Sequence, residues 1–236
     1  MSTPKKMPAT YWTVTAVALL LIAGGVLWAL ASSNTAAHAT APASATSNGG
    51  IPVGDGPVRV DIYEDFQCPA CGTFETTYGN QIQQLVTSNK ITAVYHPMSF
   101  LGPESERASA ASGCAADAGL FDKFHQYLFA HQPAEHSGGY TTQDLVSVGQ
   151  AIGAPDSYSQ CVLNGTYAAW TAAVDQDAAQ AGVTATPTFA INSQFVTGTA
   201  LTLSDIMSAI TGAANNPNPS PDPSEVSPVH GTPGRD

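Results

Sequence analysis

Basic residues are scarce in this chain. Its 236 residues include 7 Lys and Arg against 18 Asp and Glu, a net charge of −11. Nucleic-acid recognition needs a basic face to meet phosphates, and this composition cannot supply one. Charge of either sign is missing altogether between Lys6 and Asp55. No stretch of the GxSxG type is present, so a serine nucleophile elbow is excluded. No repeat of fixed period runs through the sequence, which sets aside solenoids and arrays. Cysteine is limited to positions 68, 71, 114 and 161, and those four become informative once the compartment is known.

The longest uncharged apolar run is residues 11–31, YWTVTAVALLLIAGGVLWALA, with Lys5 and Lys6 before it. A helix of that length rises about 30 Å, the thickness of a bilayer's hydrocarbon core. Trp12 and Trp28 stand near its ends, where indoles favour the headgroup region. Positive charge stays cytoplasmic, so the chain beyond residue 31 is expected outside the membrane. Ala29-Leu30-Ala31 also fits a signal-peptidase site, which would give a secreted protein instead. The run exceeds the ~7–15 residues of a signal h-region, so residues 1–31 are read as a retained anchor. Both readings export the rest of the chain.

Residues 32–56 begin small and polar without apolar periodicity and read as a flexible linker. Residues 214–236 hold six prolines and read as a disordered tail. Between them, 57–213 is long enough for one well-packed core. VRVDIYEDF is β-branched and aromatic, as a buried strand is. After Cys68-Pro69 a helical pattern places Phe74, Tyr78, Ile82 and Leu85 at steps of three and four. ITAVYH follows as a second strand, completing a right-handed βαβ unit with parallel strands. Residues 104–182 form an alanine-rich helical block of five segments. Two short apolar runs about Asn192-Ser193 suggest a hairpin, and Thr202-Leu203-Ser204-Asp205 a helix start.

Cys68 and Cys71 therefore sit where a strand gives way to a helix. N–H groups and the helix dipole at that point stabilise negative charge, which lowers the pKa of a thiol placed there. Cys71, three residues on, shares the helix face and can bridge to Cys68. Zinc is disfavoured because a structural site needs four ligands, and Cys114 and Cys161 form no second knuckle. His125, His131 and His136 lack the i+4 spacing of a helix-borne metal pair and read as solvated side chains. A purely structural staple across so short a loop removes little unfolded-state entropy. Redox exchange remains: Cys68 would be attacked by or attack a thiol, and Cys71 would resolve the product.

Phe66-Gln67-Cys68-Pro69-Ala70-Cys71 on a βαβ unit, then a helical insertion and Thr186-Pro187-Thr188-Phe189, resembles the DsbA-like branch of the thioredoxin superfamily, including its actinobacterial-type members with a second disulfide. The resemblance covers nearly all of 57–213 and implies an α/β thioredoxin fold with an inserted helical domain. It implies that Pro187 is a cis-proline facing the CxxC, with Thr186 before it, beside the backbone that pairs with bound peptide. Ala70 departs from the His of strongly oxidising relatives. Ile62 stands where many relatives bury a carboxylate, with Asp61 and Glu64 the nearest substitutes. With Cys68 and Cys71 taken as the redox pair, Cys114 and Cys161 are left for each other, out of three possible connectivities. A loop of about 48 residues closed in this way would stabilise the domain by roughly 3–4 kcal/mol.

The function so implied is an extracytoplasmic protein thiol–disulfide oxidoreductase that introduces disulfides into reduced exported proteins. A membrane quinone-linked disulfide oxidase of VKOR or DsbB type would reoxidise it, and no cofactor or metal is implied. The rival readings are a reductase or isomerase of the same fold, and a non-catalytic peptide-binding module with an inert CxxC bridge.

Overall fold

The computed structural model describes residues 40–197 and 202–216, apart from the Leu203 side chain. The apolar run 11–31 and residues 217–236 of the tail assigned to 214–236 lie outside the described residues; the first two residues of that tail are helical instead, with Ala214 buried. Among those described, no helix is long and apolar enough to cross a membrane.

Five strands form one sheet: β1 (Ile51–Val53), β2 (Val58–Asp65), β3 (Ile91–Met98), β4 (Thr188–Ile191) and β5 (Gln194–Phe195), in the order β1-β3-β2-β4-β5. β2 and β3 run parallel, as expected of strands joined by a helical crossover, with Val58 opposite Ile91 and Asp65 opposite Met98. β4 is antiparallel to β2, with Tyr63 opposite Thr188 and Ile62 opposite Phe189. The hairpin about Asn192-Ser193 forms as the sequence suggests, both residues taking positive φ (48° and 66°).

One element was not expected. Ile51–Val53, inside the linker assigned to 32–56, pairs antiparallel with β3 and buries Ile51. Three residues with a central proline carry too little pattern to read as a strand, and an edge position is where Pro52 is tolerated.

The crossover helix α1 (Pro69–Thr87) buries Phe74, Ile82 and Val86. The helical block consists of α2 (Pro103–Asp117), α3 (Phe121–Ala130), α4 (Thr142–Ile152), α5 (Asp156–Leu163) and α6 (Ala168–Gln180). α2 is buried along most of its length through small residues, Ala108 to Ala116. Their size lets the rings of α6 and the residue before it close in: a Cβ on Gly113 would lie 2.9 Å from Tyr167 and 3.1 Å from Trp170. α2 and α6 both pack on β3, and α3 packs on α1. The last helix, α7 (Leu203–Asn215), opens with the capping box read from Thr202 and Asp205.

Candidate active site

β2 ends at Asp65, and three residues later Cys68 is the N-cap of α1, with φ −67° and ψ 118°. Pro69 occupies the first turn, where no intrahelical partner for its N–H is needed. Pro69 and Ala70 are exposed, while Cys68 is 8 % and Cys71 1 % exposed. Both thiols are buried, Cys68 behind a narrow window and Cys71 almost completely.

Their acidities diverge. A hydrogen bond from the Cys71 thiol is the largest influence on Cys68. It acts with bonds from Thr186 and the N–H groups of Cys71 and Ala70 against a desolvation penalty, and the net effect lowers the Cys68 pKa to about 5. Burial pushes Cys71 far above the ordinary thiol range, and both its bond to Cys68 and the negative charge of Glu64 push it further. Cys68 is therefore largely thiolate at neutral pH, and Cys71 is held as a thiol.

The segment carrying Cys68 is fastened on three sides. The buried Asp65 carboxylate accepts hydrogen bonds from Gln67 N (2.9 Å), Ser105 Oγ (2.6 Å) and Leu101 N (3.1 Å), while its carbonyl accepts from Cys68 N (2.9 Å). Gln132, just past α3, donates through Nε2 to the carbonyls of Phe66 (2.8 Å) and Cys68 (3.0 Å). Gly72 makes room for that clamp, because a Cβ there would collide with the Gln132 amide. On the third side, the Thr186-Pro187 peptide bond is cis, and the Thr186 carbonyl oxygen lies 3.3 Å from Cys68 Sγ, where it accepts a hydrogen bond from Cys68 when that thiol is protonated. The Tyr63–Thr188 pairing sets this register, since it carries Pro187 alongside the end of β2.

Cys114 of α2 and Cys161 of α5 are bonded to each other, with Cα atoms 5.8 Å apart, and take no part in the Cys68 environment.

Behind Cys71 lies a group of side chains that sequence reasoning did not assemble. Glu64, at the end of β2, is 1 % exposed. It is the carboxylate whose charge Cys71 feels, and Ile62 is simply a buried sheet residue. Asp61 is committed elsewhere, to Arg59 Nη2 (2.6 Å) and His96 Nε2 (2.8 Å). His125, expected in solvent, is instead 1 % exposed, with Nε2 2.5 Å from Glu64 Oε1. The reason is visible in retrospect: His125 lies on the buried stripe Phe121, Phe124, Leu128 and Phe129 of α3. Glu75 completes the cluster, and the polar atoms of the three residues lie within 4.8 Å of one another. It stands four residues after Cys71, on the same helix face, a spacing that could have flagged it.

This cluster fits protons better than a metal ion. A cation bound at ~2.0–2.2 Å to an imidazole nitrogen and a carboxylate oxygen in tetrahedral geometry would hold those atoms more than about 3 Å apart. His125 and Glu64 are closer than that.

A thioredoxin family model matches residues 50–211. The chain belongs to the thioredoxin family. Within it, the fold is that of the DsbA-like proteins. The oxidised DsbA of Mycobacterium tuberculosis superposes with a TM-score of 0.61 at 28% identity, over 71% of this chain and 93% of that one. The reduced disulfide bond oxidoreductase DsbG from the same organism matches with a TM-score of 0.61 at 28% identity, over 71% and 88%. Among curated proteins, the serine/threonine-protein kinase PknE of M. tuberculosis is 32% identical over 132 residues, half of this chain. The match spans only 23% of the kinase's length. This thioredoxin-family chain is thus similar to whole DsbA-type proteins and to a portion of a larger one.

Proposed function

We propose that the protein is an extracytoplasmic thiol–disulfide oxidoreductase that passes the Cys68–Cys71 disulfide to reduced exported proteins. The carrying observation is the opposite displacement of two thiol acidities within one helical turn: Cys68 at about 5, Cys71 raised. A substrate thiolate attacks Cys68 Sγ, the Cys68–Cys71 bond breaks, and Cys71 leaves with the electron pair and takes up a proton. A second substrate thiolate then attacks the mixed disulfide, forming the substrate disulfide and releasing Cys68 as a stabilised thiolate. A stable leaving thiolate favours this direction over the reverse. The two-electron reduced enzyme needs an oxidant. A membrane quinone-linked disulfide oxidase is the class that an anchor at residues 11–31 would bring alongside. The half-buried Thr186-Pro187 edge beside Cys68 is the surface on which the substrate backbone would lie.

The test is a non-reducing gel of exported proteins from cells carrying single variants. Cys71→Ser should accumulate reductant-sensitive adducts through Cys68, and Cys68→Ser should form few. Adducts with Cys68→Ser alone would reverse the roles. Adducts with neither would mean an inert bridge on a peptide-binding module.

A further inference from the structure

Every cycle moves a proton on or off Cys71, which is 1 % exposed and lies beneath the face that a substrate must cover. The proton therefore needs a route that stays open while substrate is bound. Glu64, His125 and Glu75 lead away from Cys71 in that order. Glu64 is near enough for its charge to act on Cys71, and His125 Nε2 touches Glu64 Oε1 at 2.5 Å. Glu75 offers an atom that completes a set spanning no more than 4.8 Å, a gap short enough for a single water molecule to span. Glu75 in turn lines an open cavity of about 250 Å³ between α1 and α3, with Thr76, Asn80, Gln83 and Gln126. None of the motif residues Cys68, Pro69, Ala70, Thr186 or Pro187 lines that cavity.

We infer that Glu64, His125 and Glu75 form a proton relay joining buried Cys71 to solvent through the cavity between α1 and α3, separate from the substrate face. This inference rests on the thiol-exchange chemistry proposed above. Three features support it. Glu64 Oε1, Glu75 Oε1 and both His125 ring nitrogens are buried with no hydrogen-bond partner outside the cluster among the described residues, so nothing else there competes for the transferred proton. Burial raises Glu75 to about 7, with His125 opposing and Glu64 and Asp122 adding to the rise. Burial would lower His125, but the charges of Glu64 and Glu75, the contact with Glu64 and the charge of Asp122 on its own helix bring it to about 9. Glu75, at about 7, can both accept and release a proton at physiological pH, which suits the solvent end of a relay. The other groups packed on the His125 ring, Tyr95 from β3 and Phe66, Phe121 and Phe129, hold no charge at that pH.

The relay can be read apart from Cys68 chemistry by mixing the reduced full-length protein with dithionitrobenzoate and following nitrothiobenzoate release. In the first phase the Cys68 thiolate attacks the reagent's disulfide, expels one nitrothiobenzoate thiolate and forms a mixed disulfide. In the second phase Cys71 loses its proton and attacks Cys68 Sγ. The Cys68–Cys71 bond forms, the mixed disulfide breaks, and the second nitrothiobenzoate thiolate leaves. Glu75→Gln should leave the first phase unchanged. It should slow the second by at least roughly tenfold, less than the ~10²–10⁴ of a group touching the reacting atom, because Glu75 stands two groups away. It should also remove the step near pH 7 from the second-phase profile, and Glu75→Asp should restore part of both. An unchanged second phase, equal slowing of both phases, or a slowed second phase that keeps its pH step would overturn the relay. Absence of the first phase in the unaltered protein would instead overturn the nucleophile assignment beneath it.

Discussion

Cys68 and Cys71 are chemically the same residue three positions apart, and the fold makes them opposites. One sits at a helix N-cap under converging N–H groups; the other sits one turn inside, buried and within reach of the Glu64 charge. The acidity of Cys68 links pH to the stability of the reduced protein. Its folded pKa is about 5, below the ordinary thiol value of ~8.5. A depressed acid stabilises the fold fully above its unfolded value, and that stabilisation is lost as pH falls through 5. Cys71, displaced upward, opposes this only above ~8.5, where an unfolded thiol would ionise. Between pH 5 and 8 the reduced protein should therefore gain stability relative to the oxidised form, whose bridged sulfurs do not titrate. Urea midpoints of both forms across that range would show the reduced form's midpoint rising relative to the oxidised form's as pH rises. A constant gap would mean that Cys68 is not held as thiolate.

At the scale of elements, the bridge between α2 and α5 fastens the helical block within itself, and the clamp from Gln132 ties that block to the segment between β2 and α1. Cys114 and Cys161 close a span of 47 residues. Replacing both with Ser should cost roughly 3–4 kcal/mol, read from urea unfolding, through the loop entropy returned to the unfolded chain. The first phase with dithionitrobenzoate should survive, since neither residue touches Cys68. A stability change under ~1 kcal/mol would mean that packing alone holds the block.

Elements also mark the limit of what the sequence made legible. α1, the parallel pair β2–β3, the hairpin and the cap at Thr202 announce themselves through local signals: apolar period, turn residues and capping chemistry. The cysteine motif and Thr186-Pro187 are likewise short, contiguous patterns. The proton-handling cluster is different, because Glu64, Glu75 and His125 come from a strand, a crossover helix and the inserted block. Only tertiary packing brings them together. With Ile62 at the position where relatives bury a carboxylate, the sequence left Asp61 and Glu64 as substitutes without choosing between them; packing decides, because Asp61 pairs with Arg59 and His96 while the charge of Glu64 acts on Cys71. Gln132 was equally silent, since an amide past a helix end has no pattern. Its mark is the missing Cβ of Gly72.

For the molecule as a whole, these features act on a single quantity, the balance between the Cys68–Cys71 disulfide and its dithiol. Stabilising the Cys68 thiolate favours the reduced form, which makes the disulfide a better oxidant. Ala70 supplies an N–H to Cys68 but no side-chain donor, so the low pKa rests on the Cys71 thiol, Thr186 and the N–H groups of the helix terminus. The full-length protein equilibrated in glutathione buffers of graded ratio, with the dithiol fraction measured by alkylation and mass spectrometry, gives the potential directly. Each 30 mV corresponds to about tenfold in the exchange equilibrium. The expected potential lies above that of thioredoxin, about −270 mV, with Cys114–Cys161 still bridged where Cys68–Cys71 has opened. A potential at or below about −270 mV would contradict the oxidase reading and make the protein a reductase.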